Sequence, residues 1–133
     1  MVEVVLGALV HEGRVLLGHR SPLKRAYPNV WDLPGGVIEE GESELAALAR
    51  ELHEELGVRM TTHSATLLCR LTVRPTGEPV RLSAWLVRDW RGTPANRAPE
   101  EHDDIGWFGL DELPALAHEL VRTALLNTAA SPP

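Results

Sequence analysis

The sequence predicts an α/β fold in which helices pack in layers against a β-sheet. Apolar, strand-like segments occupy both halves of the chain, an amphipathic helix separates them, and a second helix closes the chain. A chain of 133 residues that is 44% hydrophobic can bury one sizeable core. No repeat or linker divides the sequence, so we expect residues 1–133 to form a single domain.

The first third of the chain predicts a β-hairpin, a loop and two short extended segments. Val and Leu dominate the hairpin strands, and Glu12-Gly13 supplies the turn between them. The loop that follows is basic and contains two prolines. Pro34-Gly35-Gly36 lies within the extended segments, where glycine allows conformations that a side chain forbids. The predicted elements are strands at 2–10 and 14–20, the loop 21–29 and extended segments within 31–38.

A central helix should begin after Ser43, whose hydroxyl can cap it, and end near Leu56, before Gly57. Its apolar residues share one stripe at helical spacing, which predicts the face that packs on the sheet. The stripe consists of Leu45, Leu48, Ala49, Leu52 and Leu56.

The second half of the chain predicts a strand pair, a polar loop, a short strand and an amphipathic helix. Pro75 and Gly77 mark the connection within the pair. The final residues are small or proline, so they should fray. The predicted elements are strands at 65–74 and 80–89, the loop 91–101, a strand at 105–108, a helix at 115–127 and a tail at 128–133.

Acidic residues are concentrated around the central helix. The net charge is −6, and residues 39–55 carry seven of the nineteen acids but only one base, Arg50. Glu51, Glu54 and Glu55 are spaced i, i+3 and i+4, so they project from one side of the helix. Like charges at this spacing cost about 0.2–0.5 kcal/mol per pair, and a bound cation would offset that cost. Carboxylates without His or Cys partners favour Mg²⁺ or Mn²⁺.

A solvated acidic face, with Arg50 supplying local ion pairs, is the competing interpretation of these glutamates. The neighbouring residues favour a cation site instead. Gly35 and Gly36 can bring bare backbone close to a ligand, and Glu42 is placed to hold Arg50 across a loop. Arg50 held in this way would orient the carboxylates and would not touch substrate.

Composition restricts the compartment and the partners. A single cysteine, Cys69, excludes an internal disulfide and fits a reducing compartment, so we expect a cytoplasmic protein. No long apolar run or signal-peptide pattern occurs, so we expect no membrane association. The acidic balance argues against stable nucleic-acid binding.

The segment from Gly36 to Val58 resembles the signature of Nudix hydrolases, G-x5-E-x7-R-E-U-x-E-E-x-G-U, in which U is apolar. WDLPGG before it and IGWFGLDELP after it are also similar to small members of this family. The resemblance implies a Nudix fold, an α/β/α sandwich with a mixed central β-sheet. The matching positions are Gly36, Glu42, Arg50, Glu51, Leu52, Glu54, Glu55, Gly57 and Val58.

The resemblance also implies hydrolysis of a nucleoside diphosphate linked to another moiety, with Mg²⁺ as cofactor and Mn²⁺ as a substitute. Glu51, Glu54 and Glu55 would be metal ligands together with the Gly35 carbonyl. Gly36, Glu42, Arg50 and Gly57 would be structural. The general base would be a helix glutamate or an acid of the late loop, where Glu100 and Glu101 are the candidates.

Length and the late segments favour the MutT-like group, which converts nucleoside triphosphates to monophosphate and pyrophosphate. Arg20 is a candidate phosphate contact, and Asp32 and Leu33 are candidates for the base pocket. His118 lies where MutT has an asparagine that recognises oxidised guanine, and imidazole cannot reproduce a carboxamide's donor and acceptor pair. A preference for oxidised dGTP is therefore in doubt.

Two alternatives remain open. One is a hydrolase of ADP-ribose, nucleotide sugars, dinucleotides or capped RNA. The other is a module that senses a nucleotide without cleaving it, although such modules usually lose the glutamates that this chain keeps. Except for capped RNA, the molecule bound would be a nucleotide in each case. The resemblance to the family is compatible with a monomer or a homodimer.

Overall fold

A computed structural model describes residues 1–129 of the chain. It contains nine β-strands, β1–β9, two α-helices, α1 and α2, and a short 3-10 helix at Thr62–Ser64 within those residues. The strands are β1 Val2–His11, β2 Arg14–Arg20, β3 Trp31–Asp32, β4 Gly35–Val37, β5 Arg59–Met60, β6 Thr66–Val73, β7 Val80–Val87, β8 Trp90–Arg91 and β9 His102–Gly109. The helices are α1 Glu44–Leu56 and α2 Glu119–Ala129.

A mixed sheet forms the centre of the fold. Its main strand order is β3-β2-β1-β7-β6, with β4 paired to β1 and β9 paired to β2. The pair β1–β7 is parallel, whereas the other pairs in this sheet are antiparallel. The short strands β5 and β8 form a separate ladder that the sequence did not predict.

The two helices cover opposite faces of the sheet. Side chains alternate along β1, so Val5 and Leu9 pack in one core with α1, and Leu6 and Ala8 pack in the other core with α2. This arrangement is the predicted α/β/α sandwich with a mixed central sheet.

The caps of α1 agree with the sequence. The Ser43 hydroxyl accepts a hydrogen bond from the Ala46 amide, and Gly57 ends the helix in the left-handed conformation with φ 76°. The buried face of α1 differs from the predicted stripe at two positions. Ala47 is buried in place of Ala49, and Glu55 is buried with the leucines. The three glutamates therefore do not project equally into solvent.

The C-terminal helix starts four residues later than predicted. The segment before it is extended beside β3, where Leu116 forms a bridge with Trp31 and the Ala117 amide donates to the Trp31 carbonyl. The side chain of Arg122 also binds the carbonyls of Leu113 and Pro114, which fixes this extended segment. Thr128 and Ala129 belong to α2, so the tail expected to fray at 128 does not begin there, and residues 130–133 lie outside the described residues.

Strand β9 is longer than the predicted 105–108 segment. It begins at His102 because it pairs along the whole length of β2, and its polar first residues concealed it from the hydrophobic pattern. The extension matters for the site, since it brings residues 101 and 102 beside α1.

Candidate active site

A cavity of about 630 Å³ lies between β4, the carboxylate side of α1, the 20–27 segment and the loop before β9. The residues of the motif and the three residues suggested for base recognition line this same cavity. The lining includes Arg20, Asp32, Leu33, Gly35, Gly36, Arg50, Glu51, Glu54, Glu55, Glu100, Glu101 and His118.

Two glycines allow β4 to pass between β1 and α1. Gly35 has φ 150°, and a Cβ atom there would lie 2.0 Å from the Val5 carbonyl oxygen. A Cβ atom on Gly36 would lie 2.5–2.6 Å from the carboxylate of Glu51. Only glycine therefore fits at position 35, where a side chain would meet backbone, whereas a side chain at position 36 would displace the Glu51 carboxylate from the space that it occupies.

Arg50 binds four neighbouring groups at the rim of the cavity. Glu42 accepts from Nε at 2.7 Å and from Nη2 at 2.9 Å, and this pair lowers the pKa of Glu42 to about 2. Nη2 also donates to the Val37 carbonyl at 3.1 Å. Nη1 donates to Glu51 at 3.0 Å and to Glu54 at 3.3 Å. The guanidinium thus ties the preceding loop to two of the three helix glutamates.

The three helix glutamates differ in burial. The side chain of Glu54 is 58% exposed, that of Glu51 is 16% exposed and that of Glu55 is 6% exposed. Burial, followed by contact with Glu51, raises the pKa of Glu55 well above its ordinary value. Its Oε2 oxygen is buried and has no hydrogen-bond partner. A buried carboxylate oxygen without a partner is costly unless a ligand satisfies it.

The donor set fits a hard divalent cation. Carboxylate and carbonyl oxygens are the preferred ligands of Mg²⁺ and Mn²⁺, and the free oxygen of Glu55 offers one such ligand. Within residues 1–129, no three His, Cys, Asp or Glu side chains already form a cage. Arg50 binds Glu51 and Glu54, whereas Glu55 is in contact with Glu51. Mg²⁺ needs no full protein cage, because it keeps several waters and shares substrate phosphates.

The two late-loop acids are placed differently. Glu101 lies close enough to Glu55 to help raise the pKa of that buried carboxyl, after the larger effects of burial and Glu51. Lys24 donates to the Glu101 carboxylate, which fixes it at the cavity wall. Glu100 also lines the cavity, but it is exposed. Of the pair, Glu101 is therefore the acid that faces the carboxylate side of α1.

Arg20 is engaged in holding a loop. Its Nε donates to the carbonyls of Ala26 and Tyr27 at 3.1 and 2.9 Å, and Nη2 donates to Ala26 at 2.7 Å. These bonds shape the 21–29 loop, in which Tyr27 has φ 48°. Arg20 lines the cavity, but the hydrogen bonds of its guanidinium go to the loop, and a contact with substrate phosphates stays a prediction.

Two buried titratable groups, Asp32 and His118, also line the cavity. Burial raises the pKa of Asp32 to about 7, and its Oδ1 accepts from the Leu33 amide at 2.8 Å. Burial also lowers the pKa of His118, and the ring of Tyr27 packs against it edge-on at 4.6 Å. Asp32 and Leu33 line one cavity with the distant residue His118 and with the glutamates of α1.

Sequence reasoning missed two residues of this cavity. The sequence assigned no role to His102, but this residue is buried, and its Nε2 lies 3.6 Å from Oε1 of Glu55. Arg97 lies against Gly57, where a Cβ atom would meet its Nε at 2.6 Å. No spacing in the sequence signals either contact, because both depend on how the loop before β9 folds back on α1.

The family model described as NUDIX domain matches residues 2–126. The chain belongs to the Nudix family. A solved structure of a MutT Nudix hydrolase from Burkholderia pseudomallei has a TM-score of 0.83 and 32% identity over 96% of this chain and 97% of that one.

Curated relatives of this Nudix chain have different names. CTP pyrophosphohydrolase of Escherichia coli is 34% identical over 84% of this chain and 78% of its own length. An 8-oxo-dGTP diphosphatase of Proteus vulgaris is 37% identical over 68% of this chain and 79% of its own length.

The family assignment makes the chain a pyrophosphohydrolase that acts on phosphoanhydride bonds of nucleotides. Nudix hydrolases generally use divalent metal cations, which agrees with the oxygen donors of α1. Within the described residues, no helix combines the length and apolar character needed to cross a bilayer.

Proposed function

We propose that the chain hydrolyses nucleoside triphosphates to monophosphate and pyrophosphate, with Mg²⁺ as the metal. The observation that carries the proposal is one cavity of about 630 Å³ that is lined both by the carboxylates of α1 and by the buried polar pair Asp32 and His118. A nucleotide matches this layout, because its phosphates need a cation and its base needs a few placed polar groups. The names of the relatives that act on CTP and 8-oxo-dGTP also support it.

The metal site would consist of Glu51, Glu54, Glu55 and the Gly35 carbonyl. A cation bound there would neutralise phosphate charge and help to activate water, and Mn²⁺ could replace Mg²⁺. Arg50 would keep Glu51 and Glu54 in place through the bonds described above. Gly36 would leave room for Glu51, and Gly57 would end the helix at the required point.

The buried polar pair favours a nucleotide with an exocyclic amine. As a carboxylate, Asp32 accepts hydrogen bonds, and Asp pairs with the N4 amine of cytosine in other recognition contexts. A neutral His118 ring presents one donor and one acceptor. We therefore propose cytidine nucleotides as the preferred class, in keeping with the E. coli relative. Oxidised dGTP is the second candidate, which the Proteus relative supports.

A substrate panel tests this proposal. CTP, dCTP, dGTP, oxidised dGTP, ADP-ribose, a dinucleotide and capped RNA would be incubated with the protein in Mg²⁺ or in EDTA. We expect pyrophosphate and monophosphate from triphosphates, fastest with CTP or dCTP, and no turnover in EDTA. If only ADP-ribose or the dinucleotide were hydrolysed, and no pyrophosphate were formed from any triphosphate, the proposed substrate class would be wrong. Nucleotide binding with no turnover in the whole panel would establish a sensing module.

Glu101 is the proposed general base of the late loop, and Glu100 provides its matched control. Glu101→Gln should lower kcat about 100-fold, because general bases typically contribute about 10²- to 10⁴-fold. Glu100→Gln should change kcat less than about twofold, since its side chain is exposed and substitutions at exposed positions usually have small effects. Steady-state kinetics at saturating Mg²⁺ measures both. Wild-type turnover in Glu101→Gln would return the base role to a helix glutamate.

A further inference from the structure

Glu55 has a buried neighbour that the Nudix signature does not include. The side chains of Glu55 and His102 are each 6% exposed, and Nε2 of the imidazole lies 3.6 Å from Oε1 of the carboxylate. This separation is longer than a hydrogen bond but short enough for a direct electrostatic contact. The other oxygen, Oε2, and the other ring nitrogen, Nδ1, have no hydrogen-bond partner.

A β-bulge turns His102 toward Glu55. Along β2 and β9, His19 pairs with Asp104 and the next residue, Arg20, pairs with His102, so Asp103 is the extra residue of β9. The Asp103 carboxylate contacts Nδ1 of His19 at 2.7 Å, which holds the bulge. Bulges redirect side chains and are common beside active sites. Without the extra residue, the alternation of β9 would point residue 102 to the other face.

Gly18 on β2 provides the space that the imidazole needs. A Cβ atom at this position would lie 2.4 Å from Cδ2 of His102 and 2.9 Å from its Nε2. Gly18 itself has no unusual backbone requirement, since its φ lies outside the positive region. The glycine therefore serves the ring, and two independent features, the bulge and the missing side chain, place His102 against Glu55.

We propose that His102 is a positioning residue for Glu55, in which the Nε2 edge of the ring fixes Oε1 and leaves Oε2 for the metal. The inference rests on the proposed role of Glu55 as a metal ligand. Residues that orient a ligand in this way typically contribute about 10- to 100-fold in metal affinity or activity. A histidine that merely filled the core would contribute through its volume and not through its N–H group.

His102→Gln and His102→Met separate these two roles, because the side chains have similar size and only glutamine keeps an N–H donor. Mn²⁺ binding by electron paramagnetic resonance, without nucleotide, gives a readout independent of turnover. We expect the Kd for Mn²⁺ to rise about 10- to 100-fold in His102→Met and less than about threefold in His102→Gln. The kcat should fall in parallel, with KM for nucleotide unchanged. The exposed His63→Met variant is the matched control.

Equal Mn²⁺ affinities in the Gln and Met variants would overturn the positioning role, since volume alone would then explain the site. Glu55→Gln distinguishes this failure from failure of the proposed function. If Glu55→Gln loses Mn²⁺ while His102→Met keeps it, only the inference about His102 is wrong. If Glu55→Gln binds Mn²⁺ as the wild type does, the proposed metal site itself is wrong.

Discussion

Glu55→Gln is expected to lose more than about 100-fold in kcat while the protein stays folded. Changes to residues that only orient a ligand cost about 10- to 100-fold, so loss of a ligand should cost more. The fold should survive because glutamine has the same shape, and burial already raises the pKa of Glu55 so that its neutral form is favoured. Turnover of CTP at saturating Mg²⁺ and thermal unfolding measure the two effects.

Glu40→Gln is the control for Glu55→Gln, because Glu40 belongs to the same acidic cluster but is exposed on the loop before α1. It should keep wild-type turnover. If both variants lost activity equally, general loss of negative charge would explain the result, and the metal-ligand role would be rejected. If neither lost activity, Glu55 would not be a ligand.

Asp32→Asn is expected to stabilise the protein at neutral pH by up to about 4 kcal/mol. Burial raises the pKa of Asp32 from 3.8 to about 7, so the folded protein holds this proton more tightly than the unfolded chain does. The neutral carboxyl of Asp32 makes its full contribution to the free energy of unfolding below about pH 4, and this contribution is lost as pH rises through about 7. Asparagine has no such proton to lose. The free energy of unfolding of the variant should therefore exceed that of the wild type by an amount that grows from pH 4 to pH 7 and is constant above pH 7.

Urea unfolding of both proteins between pH 4 and pH 9 measures that difference, and comparison of the two removes the contribution of other groups. Asp111→Asn is the control, because Asp111 is exposed. It gives the effect of an Asp-to-Asn change on the free energy of unfolding when the carboxyl is not buried. A constant difference between Asp32→Asn and the wild type across the whole range would show that burial does not raise this pKa. The same variant should bind cytidine nucleotides more weakly, because an amide cannot replace both acceptors of the carboxylate.

Local features were predicted well because local chemistry decides them. Ser43 limits α1 through its side-chain hydroxyl, which accepts from the Ala46 amide, and Gly57 limits it through its own amide, which donates to the His53 carbonyl. The contact of Glu42 with Arg50 follows from a tight loop between residues near in sequence. The Val- and Leu-rich composition of the hairpin likewise located two strands that cross the core.

Features that depend on distant segments were not predicted. The late start of α2 depends on Trp31, which binds residues 116 and 117 in an extended form. The early start of β9 depends on its pairing with β2. In both places a long-range partner competed with the local pattern and prevailed.

The sequence by itself determined the family and the reaction class, and it singled out the three glutamates of α1 as candidate metal ligands. It could do so because the whole motif lies within 23 residues that form one helix and one loop. Tertiary structure alone decided how those glutamates differ. The strand β4, the bulge of β9 and the leucine core bury Glu55, leave Glu54 exposed and bring His102 and Glu101 beside them. Burial and nearby charges from other segments of the chain set the free energy of ionisation of each carboxylate. Neither can be read from the spacing of residues along the chain.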